Sequence, residues 1–318
     1  MEMPFIPKER QSLHNKDRLE LVSRAKINLT LEVLFRRYDG YHELRSVMQS
    51  LDLSDHLTLK NVTDTNQIQL FCSHRELPRD ESNLAVKAAL LIQQEFAPEK
   101  GVIIELVKNI PIAAGLGGGS GNAAAVLGGL NKLWGLKLDH LALLQLASRL
   151  GSDVPFFINE GTALAEGRGE RLTPLPSFPP CYVLLAAPDG AKLSAGEVYN
   201  HLLLDKIPKK PLTDLFVEAL NRAYQNDEDR LADLQGLFTN HLEGAVFSLD
   251  PRVERLKSQI IKEGLPALVS GSGPTVFTVL NEPGVLQQLA DQLIAQGYTA
   301  IVTKTAQKKE RNKKGDTP

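Results

Sequence analysis

The sequence predicts an α+β chain in two domains, and three observations lead there. Strand-like runs come first and helical runs later, without the regular β–α alternation of a doubly wound sheet. A proline-rich stretch at 172–180 interrupts the chain near its middle. At 318 residues the chain is longer than one hydrophobic core ordinarily serves.

Residues 1–18 read as a flexible leader. It carries charges of both signs, has no apolar core for a secretion signal, and has acidic residues that transit peptides lack. Apolar and polar residues then alternate in strand fashion at 19–24, 29–35 and 41–53. Arg37-Tyr38-Asp39-Gly40 joins two of these runs, with Asp39-Gly40 as a hairpin dipeptide. A short strand is expected at 68–72, and a helix over 83–96 with Ser82 or Asn83 as its cap. Residues 101–110 are apolar and β-branched, hence strand. A helix over 123–134 ends at Gly135, and Asp139 caps another that stops at Gly151.

Beyond the prolines, 181–187 reads as a buried strand. Helices are expected at 213–224, 231–247 and 251–263. Residues 267–280 read as strand, glycine turn and strand, followed by a helix at 285–296 and a strand at 300–305. The basic end from Lys308 to Lys314 reads as a solvated tail. The expected units are therefore the leader 1–18, a domain over 19–175, a second over 176–306, and a disordered tail over 307–318.

Hydrophobic residues make up 42% and charged ones 23%, which places the chain among soluble globular proteins. A net charge of −2 gives no bulk attraction to nucleic acid or anionic membrane, so neither is expected as a partner. Cys72 and Cys181 are far apart and lack metal spacing, as in a reducing compartment. No apolar run is long enough to span a bilayer, and a cytoplasmic protein is expected.

The most informative segment is Pro111-Ile112-Ala113-Ala114-Gly115-Leu116-Gly117-Gly118-Gly119-Ser120-Gly121, set between a strand and a helix. A glycine loop entering a helix presents unpaired N–H groups beside the positive end of the helix dipole, which favours a phosphate. It is not a Walker loop, since no lysine lies in it, and it lacks Gly-x-Gly-x-x-Gly spacing. The plainer reading is a turn that lets helix and strand pack closely. Four glycines within five positions are hard to explain that way, because each costs backbone entropy.

Other segments carry chemistry only in combination. In Gly151-Ser152-Asp153-Val154-Pro155, the proline pushes Val154 toward extended backbone and places Asp153 in a constrained turn among apolar neighbours. Alone, Asp153 would read as a capping aspartate. Lys26 and Asn28 alternate along a strand and share a face, with Ala25 and Ile27 on the other. Tyr41-His42 follows the hairpin turn, a pair that alone would read as surface packing. Ser270-Gly271-Ser272-Gly273-Pro274 fits either a close backbone approach to a ligand or a tight hairpin.

Together these segments resemble the GHMP kinases, whose three motifs match 25–29, 111–125 and 270–274 in order. The resemblance spans about 19 to 305. It implies a two-domain fold, the N-terminal part ribosomal-protein-S5-like and the C-terminal part ferredoxin-like. Asp39-Gly40-Tyr41-His42, the triple glycine Gly117–Gly119 and Gly151–Pro155 bring it nearest to members with a cytidylated acceptor. The implied activity uses ATP with magnesium to phosphorylate the 2-hydroxyl of a cytidine-diphosphate-linked methylerythritol in the non-mevalonate isoprenoid pathway.

The resemblance also implies roles. Asp153 becomes the base that accepts the hydroxyl proton and Lys26 the lysine beside it. An ammonium there keeps a partly buried carboxylate ionised. Pro111 to Gly121 become the ATP phosphate loop. Tyr41 and Tyr199 become the two sides of a cytosine sandwich, His42 a hydrogen-bonding partner of the base, and Asn28 a neighbour of the substrate hydroxyls. Gly271, Ser272 and Gly273 also fall on the substrate side. The chain is expected as a monomer or weak homodimer acting on a small molecule.

Two positions depart from the family pattern. Gly121 replaces the second serine after the triple glycine, removing a hydroxyl that could serve phosphate or magnesium, and the metal ligands are left open. Ser194-Ala195 replaces Ser-Thr ahead of Tyr199. The rival readings are another GHMP small-molecule kinase, of homoserine or mevalonate type, and a nucleotide-binding protein without catalysis. Tyr41-His42 argues against the first, and Asp153 with Lys26 against the second.

Overall fold

In the computed structural model the described residues are 17–208, 210–226 and 231–307. The expected leader and tail lie outside them except for Asp17, Arg18, which already belongs to the first strand, and Gln307. Strands β1 (Arg18–Arg36) and β2 (His42–Val62) form one long antiparallel hairpin across the turn Arg37–Tyr41. Gly40 turns it at φ +86°, and the Tyr41 N–H donates to Asp39 Oδ1 at 3.1 Å. There follow β3 (Ile68–Cys72), α1 (Leu84–Phe96), β4 (Gly101–Val107), α2 (Gly118–Leu133), α3 (His140–Leu150), α4 (Val154–Asn159), β5 (Thr162–Gly167) and β6 (Arg171–Pro174). Asn83 and Asp139 cap α1 and α3 through their side chains.

The second half contains β7 (Tyr182–Pro188), α5 (Ala195–Asn200), a 3₁₀ turn (Leu204–Lys206), α6 (Leu212–Asn226) and α7 (Leu231–Gln235). It continues with β8 (Thr239–Asn240), α8 (Glu243–Leu249), α9 (Pro251–Lys262), β9 (Leu268–Val269), β10 (Val276–Leu280), α10 (Pro283–Ala295) and β11 (Tyr298–Lys304). The first sheet runs β3-β4-β2-β1-β8, and β5 pairs with both β2 and β6. The second runs β11-β7-β10-β9, antiparallel throughout. Relabelled in chain order that is 4-1-3-2, the ferredoxin-like arrangement the resemblance implies.

Two expectations change and one is decided. The helix expected over 231–247 is three elements, because β8 leaves the helical path to pair in parallel with Thr30 and Leu31 of β1. Of the two readings open for the proline stretch, linker or sheet edge, the edge holds: β6 pairs with β5 alone, and Phe178 is fully buried, stacked 6.2 Å from Phe216. Val154 is helical rather than extended, since Pro155 falls in the first turn of α4, where its missing N–H costs nothing.

One apolar cluster joins the sheets. Ala25, Ile27, Leu29, Val47 and Leu51 of β1 and β2 pack with Val183, Leu185, Phe277 and Val279 of β7 and β10. The inward face of β1 anchors it there, and its opposite face carries Lys26 and Asn28.

Candidate active site

The loop after β4 enters α2 earlier than the sequence suggested, at Gly118 rather than 123. Gly117 is the N-cap in left-handed conformation at φ +70°, with no side chain to satisfy the first turn. The Gly121 N–H is already bonded to the Gly117 carbonyl at 2.9 Å. The amides of Gly118, Gly119 and Ser120 therefore form the open end of a 16-residue helix dipole.

Two glycines have steric reasons. A Cβ at Gly115, φ +74°, would stand 2.2 Å from the Ser270 carbonyl oxygen, and at Gly117 it would stand 2.6 Å from the Phe157 ring. The first contact brings the Ser270–Pro274 loop against the phosphate loop, where Ser270 Oγ donates to the Gly115 carbonyl at 3.1 Å. Ala113, at φ +53°, adopts the same left-handed backbone without glycine's freedom.

Two cavities open on either side of this loop. The outer one, about 430 Å³, is lined by Pro111 to Ser120 with Leu77, Leu84, Lys108 and Asn122. The inner one, about 460 Å³, gathers Lys26, Asn28, Tyr41, His42, Asp153, Tyr199, Gly271 and Ser272. Gly115, Gly117 and Ser120 line both. Of the residues expected to bind ATP or acceptor, Gly121 and Gly273 line neither. Gly121 is buried against β1, where a Cβ would meet Ser23 Oγ at 2.7 Å, so a second serine hydroxyl has no room there. Gly273 packs against Val246 and Val269.

Lys26 follows an irregularity in the β1–β2 register, and its side chain runs past Gly117 toward Gly271. Its N–H donates to the Leu116 carbonyl at 3.0 Å. Its ammonium donates to Asn28 Oδ1 at 2.6 Å, and Asn28 Nδ2 donates to Ser46 Oγ at 2.8 Å. Asp153 is the N-cap of α4, yet its carboxylate makes no cap hydrogen bond. It lies instead 3.6 Å from Lys26 Nζ, its side chain 35% exposed against 4% for the lysine. A buried cation thus faces an accessible carboxylate, an arrangement suited to accepting a proton.

The aromatic residues pair differently from the expected sandwich. His42 itself stacks on Tyr199, with centroids 5.2 Å apart and planes 21° apart, while Tyr41 packs under the Arg168 guanidinium at 4.7 Å. Burial, with Arg36 nearby, pushes the His42 imidazole below its usual pKa and keeps it neutral. Burial and the Asp153 charge drive the Tyr199 phenol above its usual range, so it remains a donor.

Arg168 was not singled out in the sequence. It sits on the β5–β6 hairpin, whose Gly167-Arg168-Gly169-Glu170 turn after an apolar run is a readable signal. A concavity of about 1120 Å³ lies elsewhere, among His201, Lys206, His241 and Lys257. The one carboxylate among its described lining residues, Glu243, is already paired with Lys257 at 2.6 Å, so size does not locate the chemistry.

Comparison with known proteins gives the family. The GHMP kinases N terminal domain matches residues 83–161, and GHMP kinases C terminal matches 216–299. The 4-diphosphocytidyl-2-C-methyl-D-erythritol kinase of Geobacillus sp. (strain WCH70) is 46% identical over 279 residues, covering 87% of this chain and 93% of that relative. A crystal structure of 4-(cytidine 5'-diphospho)-2C-methyl-D-erythritol kinase superposes with a TM-score of 0.72 at 35% identity, over 90% of this chain and 98% of that one. A homoserine kinase from Cytophaga hutchinsonii shares the fold, with a TM-score of 0.69 at 18% identity over 96% and 97% of the two chains. The chain belongs to the GHMP kinases and, among them, to the 4-diphosphocytidyl-2-C-methyl-D-erythritol kinase family.

Proposed function

We propose that the chain transfers the γ-phosphoryl group of ATP to the 2-hydroxyl of 4-diphosphocytidyl-2-C-methyl-D-erythritol. The observation that carries the reading is the pair of cavities meeting at Gly115, Gly117 and Ser120, with Lys26 and Asp153 on the inner wall. ATP occupies the outer cavity with its phosphates against the amides of Gly118 to Ser120, and the acceptor fills the inner one. The acceptor oxygen forms the new bond to phosphorus, the bond from phosphorus to ADP breaks, and the hydroxyl proton passes to Asp153. Lys26, 3.6 Å from the Asp153 carboxylate, orients the hydroxyl, while the loop holds the transferring group in line.

Among the described residues no cluster of three or more His, Cys, Asp or Glu could cage a metal. Magnesium needs no such cage, since phosphates and waters supply most of its ligands. The Ser120 hydroxyl, on the wall common to both cavities, is a fitting oxygen donor for it. The ion would neutralise phosphate charge.

Tyr41, His42 and Tyr199 supply flat apolar surface and a neutral imidazole able to donate and accept, which suit a cytosine. Arg168 adds positive charge for a diphosphate. A mevalonate- or homoserine-sized acceptor needs neither, so that reading is weaker. ADP release with ATP and each acceptor decides: turnover only with the cytidylated acceptor is expected, and equal or better turnover with mevalonate or homoserine would overturn the assignment.

A further inference from the structure

Asp55 of β2 stands behind the phosphate loop, its side chain completely buried. Its Oδ1 accepts the backbone N–H groups of Asn109 at 2.8 Å and Ile110 at 2.9 Å. Its Oδ2 accepts Asn122 Nδ2 at 2.9 Å and the ammonium of Lys108. Lys108 Nζ also donates to Asn122 Oδ1 at 3.3 Å. Residues 108–110 lead into the loop and Asn122 lies on α2 just after it, so one carboxylate holds both ends.

Lys108 and Asn122 also form wall of the outer cavity. A Cβ at Gly118 would stand 3.1 Å from Lys108 Nζ, which puts the ammonium at the first turn of α2. A buried cation there is opposed by the positive end of the helix dipole and by its own desolvation. Asp55 offsets both. It thereby fixes a cation where a nucleotide meets the loop.

We propose that Asp55 is a positioning residue for the nucleotide, acting through Lys108 to set the ammonium and the loop against ATP. The proposal rests on the reading of the outer cavity as the ATP site. Asp55→Asn keeps the shape and an acceptor for the two backbone N–H groups, but leaves Lys108 without its counter-charge. Because that variant risks misfolding, the same change is also made in a Lys108→Met background, where no ammonium is left unpaired.

The measurements are the Kd for ADP by calorimetry and the KM for ATP and for the cytidylated acceptor, on the full chain. Asp55→Asn is expected to weaken ADP and raise the KM for ATP about tenfold or more, the scale of one charge-assisted hydrogen bond, with the KM for the acceptor unmoved. In the Lys108→Met background the same change is expected to shift the ADP Kd by less than about twofold, as coupled residues do. Equal effects in both backgrounds, a parallel rise in the acceptor KM, or an unchanged KM for ATP would each overturn the proposal. If the unmodified chain binds no ADP, the nucleotide reading itself fails and the role of Asp55 fails with it.

Discussion

The Lys26 ammonium lies 3.6 Å from Asp153 Oδ2 while its short hydrogen bond, 2.6 Å, goes to the neutral Asn28. A cation fixed by a neutral partner leaves the carboxylate free to serve the cavity. Lys26→Met therefore lowers kcat about a hundredfold, and Asn28→Ala, which only loosens the ammonium, about tenfold. Steady-state kinetics with both substrates saturating check the order. An equal or larger loss in Asn28→Ala would show that Lys26 acts otherwise.

Arg168 over Tyr41, at 4.7 Å, places a guanidinium on the inner cavity alone. Arg168→Met is expected to raise the KM for the acceptor about tenfold, equivalent to about 1.4 kcal/mol, and to leave the KM for ATP unchanged. A matching rise in the KM for ATP would place its charge on the wrong substrate.

The glycines of α2 and its loop are not equivalent. At Gly115 a Cβ meets the Ser270 carbonyl oxygen at 2.2 Å on a left-handed backbone, whereas nothing lies within 4 Å of one at Gly128. Gly115→Ala should destabilise the chain by about 1–3 kcal/mol, whereas Gly128→Ala in mid-helix should be neutral or stabilising by up to about 1 kcal/mol. Thermal melts of the two variants read this directly.

Folding depresses the pKa of His42 below its ordinary 6.5, chiefly through burial. A depressed group contributes stability that is present above the unfolded pKa and lost as pH falls through the folded one. The neutral ring that faces Tyr199 is lost over the same range. The KM for the acceptor is therefore flat from about pH 8 down to about 6.5 and rises below it. In His42→Gln that rise should disappear, as a pH series of KM values would reveal.

The parts of the site legible in the sequence were those encoded locally. Lys26 and Asn28 share a face because a strand repeats every two residues, and Tyr41-His42 follows a hairpin dipeptide. The glycine loop announced itself by composition. The start of α2 did not: Gly118 and Gly119 have poor helix propensity, and they are helical because backbone amides rather than side chains are wanted there. The absence of room at Gly121 was likewise invisible, since Ser23 lies 98 positions away in the chain.

Long-range pairing hid the rest. Asn240 looked helical within 231–247, yet it pairs with Leu31 in β8 and donates to the carbonyls of Val269 and Gly271 at 2.8 Å each, holding the loop that carries Ser272. Asp55, just past the strand expected at 41–53, gave no sign that it would bind both ends of the phosphate loop. Such contacts are set by topology, not by periodicity.

In the proposed reaction Asp153 is the group that takes the acceptor proton. The most direct measurement is turnover of Asp153→Asn, a change that keeps size and removes basicity, with the KM for both substrates determined alongside. A fall in kcat of about a thousandfold with both KM values little changed is the predicted result. Turnover within a few-fold of the unmodified chain would contradict it.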